Sequence, residues 1–248
     1  MEFKIRLADV NIAVNSMHDE VFQLCRDYLT DGMTDFYVSP APADIAMERV
    51  KNLHEAEVEG ILPVDYPDSY LETLAVYRQI AAQMLGHDTF LLHGAVVAVK
   101  DKAWLFTAPS GTGKTTHIRL WLDHIEGSYV VNGDKPLIHI GEEVTAYGTP
   151  WAGKEGMQKN VGVKLCGIVI LERGKENSIR RTTLSQSLPT LIQQSYRPNE
   201  KKGLEKTLEL IGKLGNRIPF YRLQCNMLPE AALTAYKTLS RDTESIYE

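Results

Sequence analysis

The sequence has few cysteines, no excess of positive charge and no long apolar run. Its cysteines, Cys25, Cys166 and Cys225, lie far apart without zinc-site spacing, so we expect reduced thiols. The net charge of -5 argues against a nucleic acid or an anionic membrane as partner, since both select basic surfaces. Apolar stretches such as 165–171 are too short to span a bilayer, and the first residues contain no signal-peptide core. These absences predict a soluble, cytoplasmic protein.

Composition predicts one boundary within the 248 residues. Residues 63–68 contain two prolines and two aspartates, which oppose both helix and sheet. We therefore expect a small N-terminal α/β region over residues 1–66 and a larger α/β domain over residues 67–248. Ser69 with Glu72 has the spacing of a capping box, which predicts that a helix begins there.

The most specific chemistry lies in residues 108–116, Ala-Pro-Ser-Gly-Thr-Gly-Lys-Thr-Thr. They fit the phosphate-binding pattern G-x-x-x-x-G-K-[ST], with alanine replacing the first glycine. The glycines let backbone N–H groups approach an anion, Lys114 reaches the outer phosphates, and the Thr115 hydroxyl is placed to bind Mg²⁺. A glycine-rich turn without a ligand is the alternative. The predicted nucleotide-binding residues are Ser110, Gly111, Thr112, Gly113, Lys114, Thr115 and Thr116.

The residues on either side of this pattern have the periodicity that a strand–loop–helix unit needs. Residues 103–107 are typical of a buried strand. After the loop, one helical face carries four apolar residues, Ile118, Trp121, Leu122 and Ile125. The helix N-terminus therefore points at the bound phosphates, where its partial positive charge favours them.

A second long strand is predicted just upstream, at residues 90–99. The short turn at Lys100–Lys102 predicts that it pairs antiparallel with the strand leading into the loop. His93 would then lie near the strand end from which the loop emerges. A histidine in a strand is more often an ordinary core or edge residue, and spacing alone does not separate the two interpretations.

Asp134 follows an apolar strand twenty residues after Lys114. A carboxylate there is placed to hold Mg²⁺ beside the phosphates, directly or through water. The alternative is an ordinary turn aspartate in Asn132-Gly133-Asp134.

Three elements together, residues 92–97, 108–115 and 130–134, resemble the catalytic domain of the HPr serine kinase/phosphorylase family. That family shares its fold with phosphoenolpyruvate carboxykinase. In both, a His-Gly strand precedes the phosphate loop and an Asp-Asp pair follows it, which implies active-site roles for His93 and Asp134. The resemblance covers roughly residues 90–175 and implies an α/β fold with a mixed twisted sheet and a phosphate-binding loop.

The sequence departs from that family in two places. Gly133 stands where the first acid of the Asp-Asp pair is expected, and residues 162–165 lack the Glu and Arg of the family's Glu-x-Arg-Gly signature. The chain is therefore more similar to the divergent serine-kinase relatives than to a true HPr kinase/phosphorylase or a carboxykinase. The sequence leaves open the general base, the choice among ATP, GTP and pyrophosphate, reverse phosphorylase activity and homo-oligomer formation.

Residues 148–154 occupy the region of the family's substrate-facing loop. Lys154 is a candidate for neutralising the transferring phosphoryl group. Trp151 either stacks on a ligand or packs on the core. Four arginines are alternative phosphate clamps or ordinary surface residues: Arg173, Arg180, Arg181 and Arg197.

The residues and the resemblance together predict an ATP- and Mg²⁺-dependent kinase that phosphorylates a serine-type hydroxyl of a protein or peptide. Asp134, His93, Lys114 and Lys154 are the predicted catalytic residues, and Thr115 and Asp134 are the predicted metal ligands. One alternative is a kinase of a small hydroxyl compound such as free serine. Another is a regulatory module that binds a nucleotide and transfers nothing.

Overall fold

The computed structural model describes residues 1–198 and 200–247. They form two compact units that divide between His87 and Asp88. Within these ranges, no helix combines the length and the apolar character needed to cross a membrane.

The first unit combines a small sheet with three helices. Its strands are β1 (Glu2–Leu7), β2 (Val10–Asn15) and β3 (Phe36–Val38), and its helices are α1 (Asp19–Cys25), α2 (Pro42–Glu59) and α3 (Asp68–Met84). Strands β1 and β2 pair antiparallel, and β2 and β3 pair parallel. The alternation seen in the sequence buries Ile5, Leu7, Ile12 and Val14 on one face.

Helix α3 belongs to this first unit, although the sequence boundary at residue 66 assigns it to the second. The predicted capping box is wrong, since α3 begins after Pro67 without a side-chain cap. Glu72 is instead fully buried and accepts hydrogen bonds from the backbone N–H groups of Met17 at 2.6 Å and His18 at 2.8 Å. A buried carboxylate needs such donors, and here they come from the chain segment that leads into α1.

The second unit is built on one large mixed sheet. Its elements are β4 (Thr89–Leu91), β5 (Ala95–Val99), β6 (Lys102–Thr107), α4 (Lys114–His124), β7 (Ser128–Asn132), β8 (Leu137–Ile140), β9 (Val144–Tyr147), β10 (Gly162–Arg173), β11 (Ser178–Thr182), α5 (Leu184–Gln194), α6 (Lys201–Gly215), β12 (Phe220–Cys225) and α7 (Pro229–Tyr247). The strand order is β4-β8-β9-β10-β6-β5-β7, with β12 also on β10 and β11 on β12. Strand β10 runs parallel to β6 and β12, while the other pairs are antiparallel. The expectation of an α/β fold with a mixed sheet is confirmed at this level.

The single strand predicted over residues 90–99 is two strands. Strand β5 pairs antiparallel with β6, with Ala95 opposite Phe106, as predicted. Strand β4 pairs with β8 instead. The chain bends between them at Gly94, where an added Cβ would lie 2.8 Å from the Leu105 side chain and 2.9 Å from the Phe106 carbonyl oxygen.

Helix α4 packs on the sheet through an aromatic core. The Trp121 ring lies 5.7 Å from Trp104, 5.3 Å from Phe106 and 5.6 Å from Tyr236, measured between ring centroids. The predicted helical face needs one correction. Leu122 is 39% exposed, and His117 is buried on this face instead, with its ring centroid 4.8 Å from that of Phe106 and the two rings tilted by 53°.

Candidate functional site

The site lies where two parallel strands end at the same edge of the sheet. Thr107 of β6 is opposite Ile170 of β10, so the carboxyl ends of both strands meet there. The glycine-rich loop, residues 108–113, leaves β6 at this edge, and α4 begins directly after it at Lys114. Gly111 and Gly113 have φ values of +73° and +116°, a region that favours glycine.

The Lys114 side chain folds back over the loop. Its Nζ donates to the Ala108 carbonyl oxygen at 2.8 Å. Burial lowers the pKa of Lys114, and the nearby negative charge of Asp134 partly opposes this effect. At the same strand end, the Thr107 hydroxyl donates to the carbonyl oxygen of His93 at 2.7 Å.

The predicted nucleotide-binding residues lie in the glycine-rich loop and the first turn of α4. Ser110, Thr115 and Thr116 are exposed there. Thr112 is half-buried, and its hydroxyl donates to the Pro109 carbonyl oxygen at 2.8 Å. Thr115 is therefore a surface residue in the first turn of the helix that follows the loop.

Asp134 and His93 are in direct contact. His93 Nε2 lies 3.0 Å from Asp134 Oδ1, and Lys135 Nζ lies 2.6 Å from Asp134 Oδ2. Burial alone would raise the pKa of Asp134, but the His93 hydrogen bond and the Lys135 charge outweigh it and leave the pKa well below the ordinary value. Asp134 is thus a stably ionised carboxylate with a cationic neighbour.

Asn132 holds Asp134 in place, a role that the sequence analysis missed. Its side chain is fully buried, and its Oδ1 accepts from the backbone N–H groups of Asp134 at 2.9 Å and Lys135 at 2.7 Å. Its Nδ2 donates to the carbonyl oxygen of Thr149 at 3.0 Å. The available signal was the Asn-Gly-Asp sequence, because asparagine commonly binds the backbone two residues onward.

Segment 148–156 contacts the Asp134 side chain through Gly153. Gly153 has a φ of +75°, and a Cβ added to it would lie only 3.0 Å from the Asp134 Cβ, so the close approach favours glycine. Lys154 follows it and is exposed. Trp151 is only 6% exposed, so its ring packs in the protein and does not form an open stacking platform.

Of the four candidate arginines, Arg173 alone has a described contact with the glycine-rich loop. It bonds the carbonyl oxygen of Gly111 through Nη2 and that of Thr112 through Nε at 3.4 Å. Arg181 pairs with Asp242 at 3.3 Å, away from the loop in β11. Arg180 and Arg197 are exposed.

A metal at this site would have few protein ligands. Residues 1–198 and 200–247 contain no group of three or more His, Cys, Asp or Glu side chains arranged to hold a metal ion. Asp134 supplies one carboxylate, and the Thr115 hydroxyl is the other predicted ligand.

Comparison with known proteins adds weak structural likeness and no match in sequence. No family model matches the sequence, and no curated protein matches it. Among solved structures, the HPr(Ser) kinase/phosphatase from Coxiella burnetii matches with a TM-score of 0.37 and 12% sequence identity. The match covers 63% of this chain and 97% of that chain. A likeness this weak carries no function across, so the functional case rests on this chain's own residues.

Proposed function

We propose that this protein is an ATP- and Mg²⁺-dependent phosphotransferase that phosphorylates a serine-type hydroxyl of a protein or peptide. The observation that carries the proposal is a glycine-rich loop at a helix N-terminus, with Lys114 following it and an ionised Asp134–His93 pair nearby. Phosphoryl transfer depends mainly on positioning and charge neutralisation, and these groups supply both.

The nucleotide phosphates would bind at the glycine-rich loop. Backbone N–H groups at the start of α4 and the helix dipole favour an anion there. Lys114 lies over the loop through its bond to Ala108, and its amine would leave that carbonyl oxygen to bind the β- and γ-phosphates. Ser110, Thr115 and Thr116 are exposed at the same surface.

Asp134 and Thr115 would hold Mg²⁺. One carboxylate and one hydroxyl suit this ion, which usually keeps several waters and takes further oxygens from phosphate. When bound, Mg²⁺ would neutralise charge on the phosphate oxygens. Lys135 now contacts Asp134 Oδ2, so metal binding at that oxygen requires the Lys135 amine to move aside.

The acceptor chemistry follows from the charge state of Asp134. A carboxylate whose pKa lies below its ordinary value is a weak general base near neutral pH. We therefore assign Asp134 to metal binding and His93 to its orientation, with the hydroxyl passing its proton late to an oxygen of the transferred phosphoryl group, as a loose transition state permits. Lys154, exposed beside Gly153, would neutralise the transferring phosphoryl group.

The single carboxylate supports a second candidate function. Gly133 provides no side chain where a second acid would stand, and this favours a regulatory module that binds nucleotide without transferring phosphate. A kinase of a small hydroxyl compound differs only in its acceptor and would use the same nucleotide site.

Lys114→Ala tests the proposed site. Removing this cation should lower the transfer rate from labelled ATP to host peptides by about 10²–10⁴. Lys175→Ala, at an exposed position outside the loop, is the matched control. Turnover in Lys114→Ala within about threefold of wild type would contradict the assignment. Wild-type protein that binds ATP tightly but labels no peptide or small hydroxyl compound would select the regulatory module.

A further inference from the structure

The peptides of the glycine-rich loop are held by little packing. An added Cβ at Gly111 or Gly113 would meet no atom within 4 Å. Both glycines have positive φ, and glycine can leave such a conformation at low cost. The other described side-chain contacts in the loop tie down its first residues, through Lys114 to Ala108 and Thr112 to Pro109. The second half of the loop needs another tether.

Arg173 supplies that tether. It is the last residue of β10, which runs parallel to β6 and so ends at the edge where the loop begins. Its guanidinium bonds the carbonyl oxygens of Gly111 and Thr112, two successive peptides of the loop. The planar fork of arginine suits this double contact, whereas the single ammonium of lysine does not.

Holding these carbonyl oxygens sets the direction of two N–H groups. In a planar trans peptide the C=O and the next N–H point in opposite directions, and the described chain contains no cis peptide. Binding Gly111 O therefore directs the Thr112 N–H away from Arg173, and that N–H donates to the Pro109 carbonyl oxygen at 3.4 Å. Binding Thr112 O directs the Gly113 N–H away from Arg173 in the same way.

We infer that Arg173 is a positioning residue that presets the Gly113 amide to receive an anion, without itself touching that anion. This inference rests on the proposed nucleotide site and adds how the site is kept ready. Preset donors bind a charged ligand better because less ordering remains to be done on binding.

Backbone ¹⁵N relaxation in the nucleotide-free protein tests the first half of the inference. The order parameter of the Gly113 N–H should be near the rigid-backbone value of about 0.85 in the wild type and below about 0.6 in Arg173→Ala, because the peptide loses its tether. Arg180→Ala removes another exposed arginine and is the matched control, which should leave this order parameter unchanged. An unchanged order parameter in Arg173→Ala would overturn the inference.

Calorimetric titration with pyrophosphate, ATP and adenosine tests the second half. Arg173→Ala should weaken pyrophosphate and ATP binding by about tenfold, in line with the loss of a hydrogen bond to a charged group. Adenosine binding should stay unchanged, since adenosine carries no phosphate. Arg173→Lys should recover less than half of the loss on a logarithmic scale, because lysine cannot bridge two carbonyl oxygens.

Three results would contradict this second half in different ways. If Arg173→Lys binds pyrophosphate like wild type, Arg173 acts through its charge, and the positioning role is wrong. If the wild type binds neither ATP nor pyrophosphate, the proposed nucleotide site fails, and the purpose assigned to Arg173 fails with it. A wild type that binds both, with Arg173→Ala binding equally well, rejects the Arg173 role alone.

Discussion

At the scale of single residues, the candidate site is one carboxylate held by its neighbours. Asp134 has His93 on one oxygen and Lys135 on the other, while buried Asn132 fixes its backbone. Lys135 follows Asp134 directly in the sequence, yet a cation next to an acid in a turn is too common a pattern to indicate a role. The contact distances identify it as part of the site.

Asp134→Asn separates the metal role of Asp134 from its alternatives. The amide keeps the size of the side chain but removes the charge that a hard cation prefers. We expect nucleotide affinity without metal to persist and the gain from added Mg²⁺ to disappear, measured by calorimetric titration with and without Mg²⁺. Asp123→Asn, at an exposed position on α4, is the control.

Two other outcomes of this experiment would assign Asp134 differently. If Mg²⁺-linked affinity survives while single-turnover transfer falls by about 10²–10⁴, Asp134 acts as the general base. If neither quantity changes by more than about threefold, Asp134 is an ordinary turn residue and the metal role is refuted.

His117 makes stability depend on pH. Burial lowers the pKa of His117 to about 4, while a histidine in the unfolded chain titrates near about 6.5. Between these values the unfolded state binds more protons, so the free energy of unfolding falls as the pH falls, by about 1.4 kcal/mol per pH unit. Above pH about 6.5 this contribution is constant.

His117→Gln should flatten that pH dependence. Glutamine can still accept the hydrogen bond that Trp121 Nε1 now donates to His117 Nε2 at 3.0 Å, and it does not titrate. The check is the free energy of unfolding in urea from pH 7 to pH 4.5 for wild type and variant. His124→Gln, at an exposed position, should leave the slope unchanged. An equal slope in His117→Gln would place the pH dependence elsewhere.

At the scale of elements, α4 connects the glycine-rich loop to the core. The helix begins at the loop and packs against the sheet through Trp121, which is fully buried between aromatic rings of β6 and α7. Its docking therefore sets where the loop's N–H groups lie. The local pattern predicted this helix well, because apolar spacing of three and four residues is a strong helical signal.

Trp121→Ala should cost about 3–5 kcal/mol of unfolding free energy, since it leaves a large cavity in a packed core. Leu122→Ala, one residue along the same helix but 39% exposed, should cost less than about 1 kcal/mol. Urea unfolding followed by circular dichroism measures both. Equal costs would mean that α4 packs through the face predicted from the sequence and not through the one described here.

At the scale of the whole molecule, each unit has its own sheet and buried residues. The described division after His87 assigns α3 to the first unit, where Glu72 bonds the chain ahead of α1. The boundary predicted from composition instead assigns α3 to the second unit. The two boundaries therefore predict different fragments of the second unit to fold as stable monomers.

Fragment 88–248 should unfold cooperatively and stay monomeric, because it contains all strands of the large sheet. Fragment 67–248 also carries α3 without its partners, exposing its buried residues, Leu71, Val76, Ile80 and Met84 among them. We expect this longer fragment to self-associate in size-exclusion chromatography. A monomeric 67–248 fragment beside an aggregating 88–248 fragment would support the composition boundary instead.

The sequence by itself determined the elements whose signal is local. The strand–loop–helix unit around residues 103–124 follows from apolar periodicity and glycine placement. The same residues were sufficient to propose a nucleotide site, because that chemistry is concentrated in consecutive positions. Asp134 and His93 needed the family resemblance as well, since spacing alone leaves both with ordinary interpretations.

Tertiary structure alone decided which distant residues meet. Strand β4 pairs with β8, Glu72 binds residues 17 and 18, and Arg173 reaches a loop about sixty positions earlier in the chain. None of these contacts leaves a local trace, because strand pairing and side-chain hydrogen bonds depend on how the whole chain folds back on itself. The same reason explains why His117 is buried in α4 and Leu122 is not. Apolar periodicity predicts the centre of the buried face, and packing against the sheet determines which residues at its margin are covered.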